Sequence, residues 1–280
     1  MEWISRFDRN QVHRQFQRAC NDGYSAGMTS LATDAIVLHA IDYLESSRIL
    51  RLVTREAGVQ SVLARGARTS RKRFGSALDI FAEGHAELQI KEGRELHTLN
   101  SFEVRESRPS IGQDLERFTA AAAFAEAVLR MVHDESASRV YDVVSQTLGR
   151  ISRSELDDVS ADTIGGLWML ASEIGVAPTL DVCASCHQII SSDHDARFSH
   201  DAGGSLCDRC GGGLHGIRRL PYSARRTISE WLTGGSVTGL DTPTLRAHQR
   251  LFREFLTRHV TDARPLKAFA IWEGGGWGQA

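Results

Sequence analysis

Phe81-Ala-Glu-Gly-His-Ala-Glu-Leu-Gln-Ile90 alternates: Ala82, Ala86, Leu88 and Ile90 are apolar, Glu83, His85, Glu87 and Gln89 polar. A period of two puts one set on a buried face and the other in solvent, which is the pattern of a half-buried strand. Working outward, Lys91-Glu-Gly-Arg94 reads as a turn into a second strand, Glu95–Val104. Upstream, Asp34–Ile41, Arg48–Thr54 and Val59–Arg65 are β-rich runs, and Glu56-Ala57-Gly58 is a short turn between the last two. Five strands with short connections between Thr33 and Val104 predict a small closed barrel. The OB-fold is the five-stranded case, with an SH3-like barrel as the alternative.

From Ser110 the period becomes helical. Leu115, Phe118, Ala122, Ala125, Leu129 and Val132 recur at spacings of three and four, which predicts one apolar stripe on a long helix that starts behind Pro109. A second helix is expected over 137–151 with Val140, Val144, Leu148 and Ile151 inward. A third is expected over 161–174 with Ile164, Leu167, Trp168, Ala171 and Ile174 inward, ended by Gly175. Ser223–Leu232 and Thr244–Val260 continue the pattern, the latter with Leu245, Phe252, Phe255 and Leu256 inward. The expected architecture is α+β and multidomain: an N-terminal five-stranded OB-fold β-barrel over 29–105, then an all-helical domain over 106–280 with a four-cysteine zinc module inserted at about 181–215. Residues 1–28, with Trp3, Ile4, Phe7, Val12 and Phe16 among Arg, Asn and Gln, read as an N-terminal extension, either disordered or a docked helix.

The inserted module reads from Cys183-Ala-Ser-Cys186 and Cys207-Asp-Arg-Cys210. Two C-x2-C turns present four thiolates, and four soft ligands in a tetrahedron close a structural zinc site around one ion, leaving no open position. The other readings of such a quartet are a metal-free core of buried thiols, a redox pair, or an iron–sulfur cluster. His187, His194 and His200 are expected to be exposed loop residues rather than ligands, and Cys20 stands alone.

A second signal is Arg65-Gly-Ala-Arg68-Thr-Ser-Arg71-Lys72-Arg73, with five basic residues in nine and no acid, directly after a barrel strand. Such a loop can neutralise phosphates, Phe74 can stack on a base, and Arg48, Arg51 and Arg55 can extend the track. The alternative is a solvated loop. Arg246, Arg250, Arg253 and Arg258 on the last long helix offer a second phosphate surface, against the plainer reading of a solvated face paired with Glu230 and Glu254.

Composition sets the limits. The net charge is −2, yet residues 106–180 carry 6 basic and 12 acidic side chains, so basic character is local to the flanks. No apolar run approaches the roughly 20 residues of a membrane span, and no signal-peptide pattern opens the chain, so a cytoplasmic protein with reduced cysteines is expected. There is no phosphate-binding G-x-x-x-x-G-K-[ST] loop and no G-x-S-x-G elbow, and the histidines and carboxylates are scattered. The reading is therefore of a protein that is not an enzyme, with no catalytic residues and no small-molecule substrate. A metal-dependent nuclease is the enzymatic rival, and a closed four-thiolate site leaves it no place for water.

Over about 30–270 the chain resembles the bacterial recombination-mediator family RecO. The resemblance rests on Ala35-Ile-Val-Leu38, on Arg48-Ile-Leu-Arg-Leu-Val-Thr-Arg-Glu-Ala-Gly58, and on Val62-Leu-Ala-Arg-Gly-Ala-Arg68 with its basic continuation. It extends through Ala77-Leu-Asp-Ile-Phe81, Leu170–Pro178, and Phe255-Leu-Thr-Arg-His259 with Pro265, Leu266 and Lys267. Arg197-Phe-Ser199 followed by Gly203-Gly-Ser-Leu-Cys207 is the most specific part. The resemblance implies binding of single- and double-stranded DNA and annealing of complementary strands. It also implies loading of RecA, with RecR, onto DNA coated by single-strand-binding protein. It further implies a nucleoid-associated location and structural zinc on Cys183, Cys186, Cys207 and Cys210. The family pattern begins near Met28, so no function is expected of residues 1–27. The rival reading from another class is a protein-interaction adaptor whose acidic helical domain docks partners, with DNA contact secondary.

Overall fold

The computed structural model describes residues 28–67, 74, 78–132, 137–191, 193–213, 215–259 and 264–274. The expected extension and most of the basic run, Arg68 to Arg73, lie outside these residues. The chain divides into two compact units, one ending at Ser107 and the other beginning at Arg108.

In the first unit, β1 (Met28–Tyr43), β2 (Ser47–Thr54), β3 (Gly58–Ala64), β4 (Glu83–Lys91) and β5 (Leu96–Glu106) close into a barrel in the order β1-β2-β3-β5-β4. All neighbours run antiparallel except β3 and β5, which are parallel because β4 intervenes in sequence and lies on the far side of β5. This is the five-stranded barrel of the OB type. The alternating stretch is β4, with Leu88 opposite Leu31 of β1 and Leu99 of β5. Ala86, Leu88 and Leu99 are fully buried and join Ala35, Val37, Leu50, Leu52 and Val62 in the barrel core. β1 is twice as long as β2 and serves both β4 and β2. A register shift between Val37 and His39 bends it from one partner toward the other. Gly84 is required where β4 crosses β5, because a Cβ there would sit 2.2 Å from the Glu103 carbonyl oxygen.

The second unit contains α1 (Pro109–Gln113), α2 (Leu115–Met131), α3 (Ala137–Arg153), α4 (Leu156–Glu173), a small sheet, and then α6 (Tyr222–Leu232), α7 (Thr242–His259) and α8 (Lys267–Glu273). The sheet is β6 (Ala196–Ser199), β7 (Gly204–Leu206) and β8 (Arg218–Leu220) in the order β7-β6-β8, with the single-turn helix α5 (Asp208–Gly211) after β7. α3 buries Val140, Val144, Leu148 and Ile151 as its spacing predicts. α4 ends as expected at Gly175, whose φ of 80° lets Val176 N–H reach the Ala171 carbonyl and Gly175 N–H reach Ser172.

α2 departs from its expected stripe. Leu115 is 56% exposed, whereas Ala120, Ala121, Ala123, Phe124, Ala127 and Val128 are fully buried. The small alanines let α4 and α8 pack against several sides of this helix, so its large residues do not mark one face. The core centres on Trp168, with the rings of Phe252 and Phe255 at 4.8 and 5.1 Å. α8 carries Phe269 and Trp272 into this core. It escaped the sequence reading because seven residues are too few for a clear period.

Candidate metal centre and nucleic-acid surface

The two cysteine turns are built by the main chain. In the first, Cys183 N–H donates to the Gln188 carbonyl and His187 N–H to the Cys183 carbonyl, both at 2.8 Å. His187 adopts φ of 60°, a left-handed position that histidine tolerates better than branched residues. The second turn runs into α5, where Gly211 N–H donates to the Cys207 carbonyl at 2.9 Å. The turns are joined without help from sulfur, because Ala184 N–H donates to Ser205 of β7 at 2.8 Å and Ser205 N–H to Thr179 at 2.7 Å. Gly204 makes that approach feasible, since a Cβ on it would lie 2.2 Å from the Thr179 carbonyl oxygen.

The four sulfurs all lie within 4.8 Å of one another, and Cys186 and Cys207 are 3.8 Å apart. A tetrahedral ion with metal–sulfur bonds of about 2.3 Å spaces its sulfurs about 3.8 Å apart, so the quartet fits one such ion. Cys183 is fully buried among Ile190, Ala196 and Leu206, and the other three are half-buried. Burial pushes the Cys183 thiol up, but hydrogen bonds from the Cys207, Cys186 and Ser185 backbones outweigh it and bring it down to about 6. The Gln188 backbone lowers Cys186. Cys210 is raised to about 11 by its neighbours Cys186 and Cys207. Two thiols lowered and one raised are what a crowded sulfur cluster produces, and a bound cation would replace the remaining protons. His187 and His194 are exposed, His194 beside Asp193 at 2.8 Å. His200 departs from the expected exposure: its side chain is 9% exposed, packed on the Phe198 ring and paired with Glu254 at 3.2 Å.

The module is fastened to the helices. The buried Arg225 of α6 donates to the Ser191 carbonyl. Asp195 accepts Tyr222 N–H at 2.8 Å and Arg219 at 2.7 Å. Glu254 of α7 takes His200 and Arg218, and Arg258 meets Asp201 at 2.9 Å. Arg253 pairs with Glu273 at 3.2 Å. Arg253 and Arg258 of α7 thus find acidic partners, and these are Glu273 and Asp201 rather than Glu230 and Glu254.

The expected DNA contacts divide. Arg65 is exposed at the end of β3, where the basic run starts. Arg68, Arg71, Lys72 and Arg73 fall outside the described residues. Arg48 is paired with Asp42 of β1 at 3.0 Å. Arg51, three residues on, stands on the opposite side of the strand beside His39, so the two do not form one track. Burial, and then the charge of Arg51, lowers the His39 pKa. Arg55 joins His85 and Arg105 around Asp34, at 3.9, 3.1 and 2.8 Å. Phe74 corrects the sequence reading: it is 1% exposed and packs with Leu78 into the barrel core. An apolar ring just beyond a cationic run is a stacking platform if exposed and a plug of the core if buried, and this one is buried.

Sequence reading also missed a clamp on α8. Glu126 of α2 accepts the backbone N–H groups of Lys267 and Phe269 at 2.9 and 3.0 Å. One turn later Arg130 donates to the Pro265 carbonyl at 3.1 Å. An i, i+4 Glu–Arg pair on a buried helix was the available signal.

A five-stranded OB-type barrel thus precedes a helical unit that carries a four-thiolate metal-site candidate. Residues 28–108 match the family model "Recombination protein O N terminal" and residues 112–268 match "Recombination protein O C terminal". The proteins named "DNA repair protein RecO" from Anaeromyxobacter dehalogenans (strain 2CP-C) and Geobacter metallireducens are 33% and 34% identical to the chain. They match over 82% and 87% of it, and over 90% and 97% of their own lengths. That from Gloeobacter violaceus is 33% identical over 66% of the chain and 70% of its own length. The chain belongs to the RecO family of DNA-repair proteins, which are recombination mediators rather than enzymes. Among the described residues, no helix is long and apolar enough to cross a membrane.

Proposed function

We propose that the chain binds single- and double-stranded DNA and anneals complementary strands. In this reading it works with RecR to load RecA onto DNA coated by single-strand-binding protein. The observation that carries it is Arg65, exposed where strand β3 of a closed OB barrel ends and the sequence goes on to Arg68, Arg71, Lys72 and Arg73. Five cations in nine residues of sequence, directly after a strand of a fold that serves widely as a single-strand platform, offer counter-charge to phosphate. The mechanism is electrostatic. Two backbones held against the same cationic loop repel each other less, their bases meet and pair, and no nucleotide is consumed. Arg51 adds charge on one side of β2, while Arg48 is engaged by Asp42. The ion suited to Cys183, Cys186, Cys207 and Cys210 is one structural zinc, because four thiolates with no open position hold the module together and leave no site for chemistry. The place of action is the nucleoid, in the cytoplasm.

The test is reversal of Arg68, Arg71, Lys72 and Arg73 to Glu. Annealing of complementary oligonucleotides should be lost while the unfolding transition is kept. Undiminished annealing by the variant overturns the proposal.

A second reading, a docking surface for partner proteins, draws on one observation. Glu116 is desolvated and crowded by Asp114 and Asp157, which raises its pKa. Like charges gathered at the start of two helices would be relieved by a basic partner. Partner capture by a protein that has no DNA affinity would favour this reading over the first.

A further inference from the structure

We propose that the cysteine centre is also an oxidation site, where a peroxide joins Cys186 to Cys207 in a disulfide that bridges the two turns and expels the metal. This rests on the zinc reading above.

Three observations carry it. Cys186 and Cys207 are in sulfur contact at 3.8 Å and come from different turns. Both are half-buried and so reachable by a small oxidant, whereas Cys183 of the first turn is fully buried. The turns are held face to face by main-chain bonds that need neither metal nor thiol, from Ala184 to Ser205 and from Ser205 to Thr179. Closing the bridge therefore requires the sulfurs to move from 3.8 Å to about 2.05 Å, with the turns already in place.

The chemistry balances with hydrogen peroxide as the two-electron oxidant. The thiolate of one cysteine attacks a peroxide oxygen, the O–O bond breaks, and a sulfenic acid and hydroxide result. The second thiolate attacks that sulfur, the S–O bond breaks, and a second hydroxide leaves as the disulfide forms. Two thiolates and one peroxide become one disulfide and two hydroxides. Cys183 and Cys210 are then the only sulfur ligands, too few to retain zinc. The module stays docked, because its ties to the helices, Arg225 to Ser191, Glu254 to His200 and Arg258 to Asp201, involve no sulfur. Reduction and zinc should therefore restore the centre.

The experiment uses the full chain purified with zinc. Elemental analysis of the untreated protein comes first: absence of zinc there overturns the zinc reading itself. Hydrogen peroxide is then titrated in the presence of a chromophoric chelator, and the products are mapped by mass spectrometry without reduction. The expected result is release of one zinc per chain together with a Cys186–Cys207 linkage, reversed by a thiol reductant and added zinc. Retention of zinc under peroxide, linkages confined to Cys183–Cys186 or Cys207–Cys210, or oxidation to sulfinic acid without a disulfide would each overturn the proposal.

Discussion

The Glu126 carboxylate accepts the backbone N–H of Phe269 at 3.0 Å, so a side chain in the first long helix caps the last one. The same carboxylate takes Lys267 N–H at 2.9 Å. The first N–H groups of α8 have no partner within their own helix, and Leu266 at its N-cap makes no side-chain cap bond. Glu126 therefore stands in for a local cap and fixes where Phe269 and Trp272 enter the core.

Glu126→Ala removes that cap and leaves buried donors unsatisfied. The expected cost is about 2 kcal/mol, read as a lower denaturant midpoint for the helical unit. Barrel stability, followed on the isolated transition of the first unit if the two unfold separately, should be unchanged. A loss below about 0.5 kcal/mol would mean that α8 is held by its rings alone.

His248 sets an acid limit. It is 2% exposed against the Trp231 ring, both its ring nitrogens lack a hydrogen-bond partner among the described residues, and burial lowers its pKa to about 4. Between about 6.5 and about 4 the unfolded chain binds a proton that the folded chain refuses, so stability rises with pH across that window. As pH falls through it, roughly 3 kcal/mol should be lost. His248→Phe removes the titrating group, and its stability should fall less between pH 6.5 and pH 4 in chemical denaturation. Parallel curves for the two proteins would place the acid sensitivity elsewhere.

Phe74 separates plug from platform. Because it sits in the barrel core, Phe74→Ala should cost about 3 to 5 kcal/mol. Phe74→Leu should keep the fold and change single-strand affinity by less than about twofold, given that one stacked base is worth roughly 1 to 3 kcal/mol. A selective loss of DNA affinity in Phe74→Leu, with stability intact, would restore the stacking role.

Metal removal acts on the module first. A chelator would take an ion from the four cysteines, while the main-chain bonds from Ala184 to Ser205 and the Arg225–Ser191 tie would persist. Hydrogen exchange should speed up over 181–210 before it does in β1–β5. Uniform acceleration across both units would contradict a local structural role.

The sequence was most legible where one geometric period controls burial. β4 alternates because one of its faces lines a barrel, and Ala86 and Leu88 are fully buried as that period requires. The cysteine quartet was legible because the C-x2-C spacing is itself the geometry of a turn that offers two sulfurs. α2 was not, because a helix packed on several sides buries alanines and leaves Leu115 exposed. Phe74 was not, because nothing in a run of nine residues tells which way the next ring turns. The Glu126 clamp joins residues 143 apart, and the local Glu126–Arg130 spacing marks a buried ionic pair without saying what it holds.

The central claim is that the basic run of sequence after β3 brings two DNA strands together. Its most direct test is strand annealing by the full chain at two salt concentrations, with and without single-strand-binding protein, beside the variant with Arg68, Arg71, Lys72 and Arg73 reversed to Glu. The account predicts annealing that weakens steeply with salt, persists on coated strands, and is absent in the variant. Annealing that is insensitive to salt and equal in the variant would contradict it.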